Sequence, residues 1–115
     1  MSIGYEIEKC GEGFPTLKFK FYADDITTIV TFDDLCIIKK DVTRFQEKLK
    51  NNEIGCLIFC QCNGFVGISA GKKKISFSVS NRNPQGYGDV CVNVPRKANY
   101  EQEICDILTK LLDEM

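Results

Sequence analysis

The chain has 115 residues, of which 43% are hydrophobic and 27% charged, with a net charge of −1. That length supports one hydrophobic core without staples, and no apolar run approaches the roughly 20 residues that cross a bilayer. Histidine is absent, which excludes every Cys–His nucleophile arrangement and removes the commonest general base at neutral pH.

Residues 1 to 15, with Gly4, Gly11, Gly13 and Pro15, are the least patterned and read as a loose arm or an edge strand of a single domain, 1–115. The opening MSIGYEIEK has no basic region followed by an apolar core, and position 2 is Ser, so neither a secretory signal nor N-myristoylation is expected. Leu17, Phe19 and Phe21 alternate with Lys18, Lys20 and Tyr22, the period of a half-buried strand. Asp24-Asp25 marks a turn. The β-branched run ITTIVTF at 26 to 32 predicts a second strand. After a turn at Asp33-Asp34, LCII at 35 to 38 reads as a short third strand or a continuation of the second. Asp41 is placed to cap a helix whose Val42, Phe45 and Leu49 share one face, and Asn51-Asn52 ends it.

Residues 54 to 80 form the most legible stretch, a meander of three strands. Asn63-Gly64 supplies the positive φ that a two-residue hairpin turn needs, and Gly71 with three lysines marks the second turn. Ile54, Cys56, Ile58, Cys60 and Cys62 point one way along the first strand, and Leu57 and Phe59 the other. A strand apolar on both sides is expected to be central and covered on both faces. Val66, Ile68 and Ala70 form one face of the next strand. Ile75, Phe77 and Val79 then alternate with Ser76, Ser78 and Ser80, which gives one wet face. NRNPQGYG at 81 to 88 reads as the only long loop. Val90, Val92 and Val94 make a further strand, stopped by Pro95. Asn99 with Gln102 resembles a capping box, and Tyr100, Ile104, Ile107, Leu108, Leu111, Leu112 and Met115 make a broad helical stripe. This stripe suits a core helix or, alternatively, a homodimer seam. No repeat or linker interrupts the chain. The expected fold is α+β: a largely antiparallel sheet of five to seven strands with two amphipathic helices, in the order β-β-β-α-β-β-β-β-α.

Candidate chemistry is sparse. Seven cysteines without a signal peptide read as reduced thiols in a cytoplasmic, reducing compartment, serving as small buried apolar residues. Cys60 and Cys62, with Cys56, invite a metal reading. Residues i and i+2 of a strand lie roughly 6.5 Å apart, however, whereas sulfurs on one tetrahedral zinc approach within about 4 Å. Asp24-Asp25 and Asp33-Asp34 suit turns better than acid–base work. Gly67-Ile68-Ser69-Ala70-Gly71-Lys72 has too short a spacer for a phosphate loop and precedes a strand. No catalytic residue, metal or cofactor site is expected.

Charge is unevenly distributed. Residues 54 to 98 carry six basic residues and one acidic residue, a net of +5, while residues 1 to 38 and 99 to 115 each carry a net of −4. The basic middle either is neutralised by the ends or faces an acidic partner. Lys72, Lys73, Lys74, Arg82, Arg96 and Lys97, with Phe65 and Tyr87, form the one constellation of interest. A serine-bearing sheet face with aromatics and a basic rim suits single-stranded nucleic acid. The alternative is a solvated lysine turn that guards strand edges.

The order of elements, with DVTRFQEKL, CLIFCQCNGF, KKISFSVSNRNP, VCVNVP and a helix bearing Leu111-Leu112, resembles the small immunity proteins of bacterial contact-dependent toxin systems, of the WapI type. The resemblance covers about residues 25 to 113. The acidic position such proteins place before the hairpin turn is Gln61 or Cys62 here. The resemblance implies a non-catalytic binder that blocks a cognate protein. Three functions are therefore carried forward: a small protein-binding module of the immunity or inhibitor kind, a single-stranded nucleic-acid-binding module, and a virion or structural component that assembles through sheet edges.

Overall fold

Alternation of Leu17, Phe19 and Phe21 with lysines demands a strand that is wet on one side. In the computed structural model, which describes residues 1–9, 14–33, 35–61, 64–83 and 86–114 (the backbone alone at 60, 61, 83, 86 and 87), this strand is β2 (Thr16–Ala23). It lies between β1 (Ser2–Glu8) and β3 (Ile26–Phe32), antiparallel to both. The register sets Leu17 opposite both Ile7 and Phe32, so the three strands share one apolar face. Asp24 turns β2 into β3 with φ 50, a left-handed conformation that Asp tolerates better than most residues. On the wet face Lys18 pairs with Glu8 at 2.9 Å and Lys20 with Glu6 at 3.2 Å. The bond to Glu8 raises the Lys18 ammonium above its ordinary range. The early residues are thus an edge strand over 2–8. The segment 35–38, by contrast, is no strand: Leu35 is buried as an anchor and its N–H donates to the Pro15 carbonyl at 2.9 Å.

The remaining strands, β4 (Gly55–Gln61), β5 (Gly64–Ala70), β6 (Lys74–Asn83) and β7 (Gly86–Pro95), form a separate four-stranded antiparallel sheet in sequence order. Seven strands in two sheets thus realise the expected α+β order. Three local expectations change. Gln61 faces Gly64, so Gly64 opens β5 and is not the second turn residue; residues 62 and 63 lie outside the described residues. Its φ of +148 and a would-be Cβ only 1.9 Å from the Ser80 carbonyl oxygen still require glycine there. The loop expected over 81–88 is instead strand at both ends, because Arg82 pairs with Tyr87 and Asn83 with Gly86. Finally, β4 is an edge strand and not a central one.

The inner faces of the two sheets meet through aromatics. Phe77 of β6 packs against Phe19 and Phe21 of β2 with ring centroids 4.8 and 4.9 Å apart. Phe32 meets Phe19 edge-on at 5.5 Å. Two helices close this core. α1 (Lys39–Lys50) buries Val42, Phe45, Gln46 and Leu49, and α2 (Ala98–Asp113) buries Tyr100, Ile104, Cys105, Ile107, Leu108 and Leu111. The α2 stripe is therefore spent inside the chain's own core; Met115 lies outside the described residues. Gln46 joins the helices, its Nε2 donating to the Cys105 carbonyl at 2.9 Å and to Thr109 Oγ1 at 3.0 Å. Both helices start earlier than their polar signals suggest. Ile38 and Lys97 occupy the cap positions without side-chain caps, so Asp41 and Asn99 sit within the first turns. There Asp41 favours the positive end of the helix dipole, while Gln102 bonds Asp106 at 2.8 Å.

Candidate interaction surface

The basic and aromatic residues singled out by sequence do not converge. Lys72, Lys73 and Lys74 are exposed at the β5–β6 turn, where the Gly71 N–H donates to the Lys74 carbonyl at 2.9 Å. Lys97 is exposed nearby, since the Arg96 N–H bonds the Lys73 carbonyl at 2.9 Å. Phe65 and Arg82 stand at the other end of the sheet: Phe65 faces Ser80, and Arg82 follows two residues later. About six residues of extended chain separate Phe65 from the lysine turn, roughly 20 Å. Arg82 bonds Asp89 at 3.1 Å. On the same face Ser80 Oγ donates to Asp89 at 2.8 Å and Ser76 Oγ to Asn93 at 2.6 Å. The side chain of Tyr87 lies outside what the structure describes.

Arg96 is the clearest departure from its expected role. Its side chain is only 2% exposed, and Nε donates to Glu101 Oε2 at 2.9 Å. Nη1 donates to the carbonyls of Glu53 and Gly71 at 2.8 and 2.9 Å, and Nη2 to that of Lys48 at 3.2 Å. One guanidinium thus ties the end of α1, the β5–β6 turn and the first turn of α2 together. Arginine suits this place because its planar fork offers five donors that stay charged when buried. The side chain is consumed by the fold and contributes nothing to a partner surface.

A different surface emerges at β4. Residues 54 to 71 contain no Asp, Glu, Lys or Arg, and β4 ends its sheet, bonded on one side to β5. In an antiparallel ladder, alternate residues bond to alternate neighbours. Gly71 bonds toward β6, so Ala70, Ile68 and Val66 bond toward β4, where they meet Gly55, Leu57 and Phe59. The N–H and C=O groups of Cys56, Ile58 and Cys60 therefore point away from the sheet. Side chains at this edge are apolar and exposed: Ile58 is 56% exposed, Ile54 59%, Ile38 58% and Phe65 44%. Natural edge strands are normally blunted by charge, proline or bulges. This one is bare.

A groove of about 430 Å³ runs between that edge and α1, lined by Asp41, Arg44, Phe45, Lys48 and residues 55 to 58. It continues as a second hollow of about 220 Å³ lined by Cys36, Ile38, Asp41 and residues 57 to 59. Polar groups of one strand edge and the basic side chains of one helix thus face a common trough. Apolar residues on both sides of β4 point to double burial, so sequence reasoning passes over this trough. The signal that carried the information was the run of 18 residues without a charge.

The cysteines follow the same correction. Cys36, Cys56 and Cys91 are exposed free thiols, and only Cys105 of the described thiols is buried. Burial pushes the Cys105 thiol up. The side chains of Cys10, Cys60 and Cys62 lie outside the described residues. Among the described residues no three His, Cys, Asp or Glu side chains come together as a metal site, and no helix is long and apolar enough to cross a membrane.

A family model described as "Family of unknown function (DUF5766)" matches residues 29–101. No curated protein and no solved structure matches the chain.

Proposed function

The chain belongs to the DUF5766 family, a family of unknown function, and from that premise we propose that it is a small, non-catalytic binding module that engages a protein partner through the free edge of β4. The observation that carries this reading is the combination along one strand edge of unpaired strand polar groups, an uncharged strand and exposed Ile54, Ile58 and Phe65. Backbone groups aimed outward from a strand give affinity to any extended segment laid beside them, and flanking apolar side chains add buried area. Exposed apolar clusters rimmed by polar residues are characteristic of interaction sites. The element order, similar to that of small immunity proteins, fits a binder that blocks a cognate protein. Exposed thiols at Cys36, Cys56 and Cys91 accord with a reducing, cytoplasmic setting, which is part of the same proposal.

The test is comparative capture from a lysate of the native source, read by mass spectrometry. Immobilised wild-type chain retains a partner that an Ile58→Lys chain of equal thermal stability does not. A partner retained equally by both would remove β4 from the account. Lysine is the right probe because it is the residue with which natural edges are blunted, so it suppresses pairing without harming the fold.

A further inference from the structure

We infer that the segment bound at β4 is an extended strand of a partner protein with acidic residues at its flank; the inference rests on the reading of β4 as the docking edge. Two observations specify the occupant. The first is the alternation of backbone direction. Cys56, Ile58 and Cys60 offer their polar groups at every second residue, with the spacing that a further strand requires. A helix laid in the groove would leave those groups unsatisfied, whereas an added strand bonds them all. The second is charge. α1 carries five basic and two acidic residues, KKDVTRFQEKLK, while β4 has none. Arg44 and Lys48 line the groove itself, and Lys39, Lys40 and Arg44 line the adjoining hollow on the exposed side of α1, of about 390 Å³.

The acidic residues in reach do not cancel this field. Asp41 lines the groove, its Oδ1 3.9 Å from Arg44 Nη1, and Glu47 lines the outer hollow. Lys48 also lies 3.4 Å from Glu53. Lys39 and Lys40 remain exposed at the mouth. An acidic flank entering past α1 meets this excess of positive charge. A second copy of the chain is the less suitable occupant. Pairing two β4 edges about a dyad continues the inner face and brings two α1 helices, each with a net charge of +3, side by side.

A random peptide library displayed on phage and selected on the intact chain tests this. The expected survivors alternate apolar and polar residues and carry Asp or Glu at one end. A synthetic survivor, measured by fluorescence anisotropy, loses binding to Ile58→Pro, which deletes an outward N–H while leaving the β4–β5 ladder whole. It keeps binding to Ile58→Thr. The paired reversal Lys40→Glu with Arg44→Glu weakens it about tenfold, an effect that shrinks as salt is raised. Loss with Ile58→Pro but no effect of the reversal overturns the acidic flank and leaves the docking edge standing. Binding untouched by Ile58→Pro overturns both, as does a library that yields helical or basic sequences, or none. A chain that sediments as a dimer dissociated by Ile58→Lys makes a second copy the occupant and overturns the inference. Circular dichroism melts of each variant confirm that binding is measured on folded protein.

Discussion

Arg96 and Glu101 form a buried ion pair, Nε to Oε2 at 2.9 Å, five residues apart across the junction of β7 and α2. The arginine simultaneously satisfies the carbonyls of Lys48, Glu53 and Gly71. Its removal strands a carboxylate that is 17% exposed and three acceptors. Arg96→Ala is therefore expected to cost about 3 kcal/mol, the range for breaking one side of a buried pair. Arg96→Lys should recover less than half, since a single ammonium cannot reach so many acceptors at once. Urea denaturation of the three proteins checks both values.

Gly64 offers a sharper backbone test. At φ +148, with the Ser80 carbonyl oxygen 1.9 Å from any Cβ, Gly64→Ala must displace β5 from β6. A loss of at least about 2 kcal/mol is expected, combining conformational strain and a broken ladder. Gly88→Ala is the control. Nothing lies within 4 Å of its would-be Cβ, so it should stay within about 0.5 kcal/mol of wild type. Equal losses at the two positions would contradict the register.

Phe77 holds the two sheets together through Phe19 and Phe21. Truncation to alanine removes the ring from a fully buried site. The cost should reach about 4 kcal/mol, because two packed sheets cannot collapse onto the void. Phe77→Leu should cost about half of that. Thermal melts followed by near-ultraviolet circular dichroism measure the difference.

Thiol accessibility gives a fourth expectation. Cys36, Cys56 and Cys91 should react with an alkylating reagent in the native state, and Cys105 only on unfolding. Burial raises the Cys105 pKa. A raised folded-state pKa contributes stability below the ordinary thiol range and loses it as pH rises through the raised value. The stability difference between wild type and Cys105→Ala should therefore shrink with increasing alkalinity. Mass-resolved labelling and denaturation at several pH values test the two statements.

How legible was all this in the sequence? Period-two alternation gave β2, β5 and β6, and the stripe from Tyr100 to Leu111 gave α2, because burial imposes those periods directly. Pro84, Gly86 and Gly88 misled. They punctuate the chain as a loop does, yet pairing of Arg82 with Tyr87 and of Asn83 with Gly86 carries the hairpin three residues further at each end. The role of Arg96 was invisible because its partners at 48, 53 and 71 are distant in sequence. For β4, composition revealed apolar faces but not which of them found a cover. Cys56 and Ile58 stand on the outer face of the sheet, opposite the buried Leu57 and Phe59, and stay exposed.

The lysine turn provides a contrast to that edge. Lys72→Glu, Lys73→Glu and Lys74→Glu together should weaken capture less than Ile58→Lys does, since only the Gly55 end of β4, opposite Ala70, approaches this turn. A loss of capture in this variant, with Ile58→Lys still active, would move the interface to the basic turn.

Backbone amide exchange at β4 tests the central claim most directly. In the free chain the amides of Leu57 and Phe59, bonded to β5, should exchange slowly, and those of Cys56 and Ile58 quickly. Adding the captured partner, or a selected peptide, should slow Cys56 and Ile58 specifically. Protection of Cys56 and Ile58 already present in the free chain, or exchange there unchanged by a bound partner, would contradict docking at the β4 edge.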